Sequence, residues 1–111
     1  KNMTYNENIH EITYGANITP EPTDGPIQRI TLTGNVNFNG FATETEGATI
    51  TLVITQDSAG NRTFTENLDS NGRMLFAGGT STLSTSANAI DIMTITFIGG
   101  TYFASLSTNF S

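Results

Sequence analysis

From Ile27 onward, apolar and polar residues alternate with a period of two. Ile30 and Leu32 alternate with Thr31 and Thr33 until Gly34 interrupts, and Val36 and Phe38 alternate with Asn35, Asn37 and Asn39 until Gly40. The longest run covers residues 48–55, where Ile50, Leu52 and Ile54 fall on one side and threonines take most of the other. Successive side chains of a strand point to opposite faces, so this spacing predicts strands with one buried and one solvated face. Phe64 lies in a further short run, and Met74, Leu75 and Phe76 form an apolar patch ended by Gly78-Gly79. Residues 92–98 are a nearly continuous run of β-formers, which Gly99-Gly100 turns and residues 102–106 continue in return. Turn signals at residues 57–61, 69–72 and 99–100 separate these runs, and Asn-Gly and Gly-Gly between β-rich runs read as hairpin connections. Such spacing predicts an all-β fold of about seven to nine strands, an antiparallel β-sandwich of jelly-roll-like type. Only residues 86–90 suit a single helical turn, and no internal repeat is visible.

Residues 1–26 differ. They hold a short alternating stretch, Ile9-His10-Glu11-Ile12-Thr13-Tyr14, followed by a segment containing all three prolines of the chain, Pro20, Pro22 and Pro26. Proline fixes φ and donates no hydrogen bond, so regular sheet is not expected to run through this segment. The division read here is an extended N-terminal arm with a Pro-rich linker over 1–26 and a sandwich domain over 27–111. An ordinary first strand followed by a long loop is the alternative. Tyr5, Ile9, Ile12 and Tyr14 are the expected inter-subunit contacts, because an extended arm that adds a strand to a neighbour gains backbone hydrogen bonds and buries its apolar residues.

Composition narrows the function. The apolar fraction is 36%, so the core is thin and association with other chains would support it. Ten acidic residues against four basic give a net charge of −6, which disfavours nucleic-acid backbones and anionic membranes as partners. With 13% of residues charged and Thr the commonest type, the surface is neutral and hydroxyl-rich. The absence of Cys removes disulfides, thiolate chemistry and Cys-based metal sites. No apolar run approaches the roughly 18 residues of a membrane span. The chain begins at Lys1 rather than Met, as expected of a processed chain or a piece of a longer one.

Candidate chemistry is sparse. His10 is the only histidine, so a His-based triad or metal site lacks partners. Glu44 and Glu46 have the spacing of a carboxylate pair on one strand face, but they precede Gly47 in what reads as a loop. Asp57 with Asn61, and Asp69 with Asn71-Gly72, look superficially like calcium loops without the ladder of oxygen ligands or the closing Glu. Turn chemistry accounts for both. Gly78-Gly79-Thr80 lacks the helix and Lys of a phosphate loop. Most aromatic residues fall on inward strand positions. Phe41, beside Gly40, and Phe110, near the terminus, are the expected interface or receptor contacts. No catalytic residue, metal or cofactor is expected.

One resemblance adds to this reading. Leu52-Val53-Ile54-Thr55-Gln56-Asp57 is followed by Gly60-Asn61-Arg62-Thr63, then Phe76-Ala77-Gly78-Gly79-Thr80, then residues 83–92 with Ala87-Asn88-Ala89-Ile90-Asp91. That order resembles a module of tailed-bacteriophage virion proteins, including tail-fibre, receptor-binding and head-decoration proteins, over roughly residues 30–111. The module usually carries Trp-Pro before the double Gly, where this chain has Phe76-Ala77, and this chain has no Trp. The resemblance implies a non-enzymatic β-sandwich, commonly trimeric, on the virion exterior at the tail or head. Its implied partners are further copies of the chain, other virion proteins, and host cell-surface polysaccharide or protein. The alternative role is a capsid decoration or head-fibre subunit that stabilises the head shell through its arm. The tight turn that Ala87-Asn88-Ala89 forms before an apolar strand explains the local pattern without a ligand.

Overall fold

The computed structural model describes residues 9–111. Nine strands occur among them: β1 (His10–Glu11), β2 (Asn17–Ile18), β3 (Ile27–Leu32), β4 (Val36–Phe38), β5 (Thr49–Gln56), β6 (Phe64–Glu66), β7 (Arg73–Phe76), β8 (Ile90–Ile98) and β9 (Thr101–Phe110). The chain is all-β apart from single 3-10 turns at Pro22–Asp24 and Ala77–Gly79. The larger sheet has the order β1-β3-β5-β8-β9-β7 and the smaller the order β2-β4-β6.

The antiparallel jelly-roll-like sandwich expected from the sequence is not what forms. β1 with β3, β3 with β5, β2 with β4, β4 with β6 and β7 with β9 all pair in parallel. Antiparallel pairing among the described strands is confined to β5–β8 and β8–β9. The chain lays one strand in the larger sheet, turns, lays the next in the smaller, and returns one level further on. Three such passes (β1 to β2, β3 to β4, β5 to β6) stack as coils of a β-solenoid. The reason for the error is physical: a period of two specifies which face a side chain takes, not which strand lies beside it or in which direction. The turn at 69–72 therefore closes no hairpin, and carries the chain from β6 in one sheet to β7 at the edge of the other. Gly99-Gly100 does close one, with φ of 60° and 80° as a two-residue hairpin turn demands.

Between the sheets lies the core. Ile30, Leu32, Ile50, Leu52, Ile54, Met93 and Ile95 point in from the larger sheet, and Ile18, Val36, Phe38 and Phe64 from the smaller. Phe64 lies in register beside Val36, and its ring reaches diagonally to stack on that of Phe38, with centroids 5.9 Å apart and planes 21° apart. Truncating a fully buried residue such as Ile54 to Ala costs about 2–5 kcal/mol in a core of this kind. The corners of the coils are tied as well. The Tyr14 hydroxyl donates to the Asn35 carbonyl at 2.7 Å, and the Asn35 side chain accepts from the Thr63 amide at 3.0 Å. Tyr14 lies so close over Gly34 that a Cβ there would strike its hydroxyl, hence glycine. On the outer side of the smaller sheet, Asn37 and Asn39 donate to Asn17, and Asn67 donates to Asn39. This is the asparagine ladder that in-register parallel stacking permits.

Candidate functional site

Most polar side chains with buried partners gather at the two ends of the larger sheet. At the end where β5 finishes, Gln56 occupies an inward position and is 2% exposed. Its Nε2 donates to the carbonyls of Arg62 and Ser84, both at 2.9 Å, and its Oε1 accepts from the Arg62 amide at 3.0 Å. Asp57 follows on the turn: its Oδ1 accepts from the Ala59 and Gly60 amides at 3.1 Å, and its Oδ2 from the Arg62 guanidinium at 3.1 Å. The hydrogen bonds from Arg62, reinforced by those two amides, hold the Asp57 carboxyl below the usual carboxylate range. Asp91, on an inward position of β8, is buried and accepts from the Ser84 amide at 2.7 Å and the Asn109 amide at 2.8 Å. Asn61 and Asn88 both adopt φ of 62°, a left-handed conformation that Asn tolerates better than most residues. Residues 56–63 and 83–91, which carry the sequence pattern singled out above, thus form one clasp. It joins the end of β5, two loops and the end of β9.

Tyr102 organises the opposite end. Its hydroxyl accepts from the Phe41 amide at 2.8 Å and donates to the Glu44 carboxylate. Phe38 and Phe41 meet its ring edge-on at centroid distances of 5.2 and 5.1 Å, and Phe97 lies tilted at 4.9 Å. Burial, then the hydrogen bond to Glu44, pushes the phenol well above its ordinary range, so it stays a neutral donor. Beside it opens a cavity of about 230 Å³ lined among others by Asn39, Glu44, Asp69 and Asn71. A longer groove of about 470 Å³ runs along residues 62–66 of the β6 strand and its approach, facing Leu83 and Phe76.

The residues singled out from sequence are placed as follows. Ile9 is exposed, Ile12 packs partly buried against the core, and Tyr14 ties two coil corners. Tyr5 lies outside the described residues. Phe41 is buried against Phe38 and Tyr102, whereas Phe110 is 47% exposed at the end of β9. His10 Nε2 lies 3.4 Å from Asp24 Oδ2. Glu44 and Glu46 do not act as a pair: Glu44 accepts from Tyr102, and Glu46 accepts from the Gly99 amide at 2.8 Å. No three His, Asp or Glu side chains converge as a metal site among the described residues. Gln56 and Asp91 entered the sequence reading only as members of a motif, without a structural role, and Gln28 was passed over. The signal was there: each is a polar residue at an inward position of an otherwise apolar face.

Stacked parallel coils, locked at both ends by polar clasps whose carboxylates are occupied in fastening loops, define a structural β-solenoid module. A family model described as the phage tail fibre C-terminal domain matches residues 18–102. The chain belongs to that family, which makes it a structural protein of the phage virion, at the tail. No curated protein and no solved structure matches it.

Proposed function

We propose that this chain is a non-enzymatic module of a phage tail fibre, that it assembles as a homotrimer with other virion proteins, and that it contacts the host surface. The observation that carries the non-enzymatic part is the use of its acids. Glu44, Glu46, Asp57 and Asp91 each accept from a named amide or hydroxyl that holds a loop in place. A general acid–base pair needs carboxylates free to face a substrate. Host contact falls to the loops at the Tyr102 end, where the cavity beside Asp69 and Asn71 offers amides and carboxylates of the kind that hydrogen-bond polysaccharide hydroxyls or protein backbone. Phe110, exposed at the other end, is an apolar contact available to a neighbouring subunit or virion protein.

The test is competition. Purified chain, added before phage at up to high micromolar concentration, is expected to slow adsorption of the parent phage to its host. The double variant Asp69→Ala, Asn71→Ala is expected to lose most of that effect while keeping its circular dichroism spectrum. Undiminished adsorption at saturating wild-type chain would overturn the host-contact reading.

A further inference from the structure

We infer that the outer face of the larger sheet, across β5, β8, β9 and β7, is the surface through which copies of this chain associate. This rests on the homo-oligomeric reading above and names the surface that serves it. Three observations converge. First, the face is neutral. The only charged residue on β5, β8 and β9 is Asp91, and it points inward to the Ser84 and Asn109 amides. Charges begin only at the margins, with the Glu11–Arg29 ion pair beyond β5 on one side and Arg73 on β7 on the other. A chain of net charge −6 repels its own copies over most orientations, and this is where two copies approach without opposing carboxylates.

Second, the face holds apolar side chains that the monomer leaves in water. Leu75 is 42%, Phe103 44% and Ile98 49% exposed. Register puts Leu75 beside Phe103 and Phe103 beside Thr96, and places Val53 beside Ile92 two outward rows along. A shallow groove of about 370 Å³ opens at Leu75, Thr94, Thr96 and Phe103. Third, the area suffices. Four strands about 4.8 Å apart, averaging about eight residues at about 3.3 Å each, make a face on the order of 500 Å². The three such faces that converge on the axis of a homotrimer together bury on the order of 1,500 Å², above the roughly 1,000 Å² at which specific interfaces begin. A basic rim that would draw the face to anionic lipid is missing across β5, β8 and β9, so a bilayer is the poorer occupant.

The experiment is light scattering after size exclusion on the 111-residue chain and four variants. Wild type is expected to run as a discrete oligomer. Phe103→Glu and Thr94→Lys, which each place a charge mid-face, are expected to weaken association at least about tenfold and move the mass to that of a monomer. Thr65→Lys, at an exposed position of β6 in the smaller sheet, is expected to leave the oligomer intact. Should Phe103→Glu lose its circular dichroism spectrum, Thr94→Lys decides, because it alters only an exposed hydroxyl. Mixing Thr94→Lys with Thr94→Glu is expected to restore association. An oligomer that survives both mid-face charges would overturn this surface and leave the homo-oligomeric reading standing. A wild-type monomer at every concentration would overturn both.

Discussion

Replacing Tyr102 with Phe removes one oxygen and keeps the ring, so the aromatic cluster with Phe38, Phe41 and Phe97 retains its packing. What is lost is the acceptor for the Phe41 amide and the donor to Glu44. The Phe41 amide lies in the core and finds no substitute acceptor, a penalty of about 1–3 kcal/mol. Glu44 is solvent-exposed, so water replaces the hydroxyl there and that bond contributes about 0–1 kcal/mol. Together the variant is expected to lose about 2–3 kcal/mol of unfolding free energy. For a chain of this size that corresponds to roughly 10–20 °C in Tm. Urea denaturation followed by circular dichroism measures it, with the slope m unchanged if only the native state is affected. The companion variant Glu44→Gln should cost about 1 kcal/mol or less, because the amide side chain still accepts from Tyr102. If Tyr102→Phe instead falls within about 0.5 kcal/mol of wild type, the buried amide has another partner and the role given to Tyr102 is wrong.

Further outcomes concern the clasp, the Glu21 carboxyl and Tyr102. Gln56→Leu strands the Arg62 amide and the carbonyls of Arg62 and Ser84, and should cost about 3 kcal/mol or more. Trypsin should then cut after Arg62 at a rate that wild type does not show. Gly60 has φ of 72°, and a Cβ there would meet the Thr85 carbonyl oxygen at 2.5 Å and the Ala87 nitrogen at 2.9 Å. Gly60→Ala should therefore lose at least about 1–2 kcal/mol from the left-handed backbone alone, with the clash added, read as a lower urea midpoint. Asp57 and Glu21 are held below their ordinary values of 3.8 and 4.5, Asp57 by Arg62 and Glu21 by the Thr43 hydroxyl. Their contribution is full above those ordinary values and is lost as pH falls through the depressed folded ones. Stability should thus be flat above about pH 5 and decline below about pH 4, and Asp57→Asn should flatten that decline. Tyr102 acts in the opposite sense: its raised folded value keeps its contribution below pH 10.0 and loses it at more alkaline pH.

Strand positions and their buried faces were legible from alternation alone. Ile50, Leu52 and Ile54 point inward as their spacing requires, and the Gly99-Gly100 turn closes the antiparallel pair it announces. Pairing partners were not legible. A solenoid usually betrays itself by a repeat, but here the coils differ in length: Ile27 lies beside Thr51, whereas Val36 lies beside Phe64. Insertions at the corners erase any fixed period, and only in-register neighbours such as Asn37 beside Asn17 retain it. Residues 9–18 were the harder case. Alternation showed at residues 9–14, but strands only two residues long gave no sign that they pair with β3 and β4. The clasp was half legible: the local order around Gln56-Asp57 and Ala87-Asn88-Ala89 stood out, but not that Gln56 ties both loops together through space.

Parallel stacking also sets how this module carries mechanical load. Ladder hydrogen bonds between coils run along the stacking direction. Tension spread evenly over a coil along that direction is shared by all the bonds to its neighbour, whereas a pull at one chain end opens them in sequence. The corner bonds from Tyr14 to Asn35 and from Asn35 to Thr63, with the asparagine ladder on the smaller sheet, lie along the same line of force. At the far end of the larger sheet the chain doubles back as β8 and β9, and Asp91 fastens the end of β9 against its partner strand. A pull on the C-terminus therefore meets the Asp91–Asn109 bond and the longest strand pair before it reaches the coils, which makes that pair the mechanical fuse of the module.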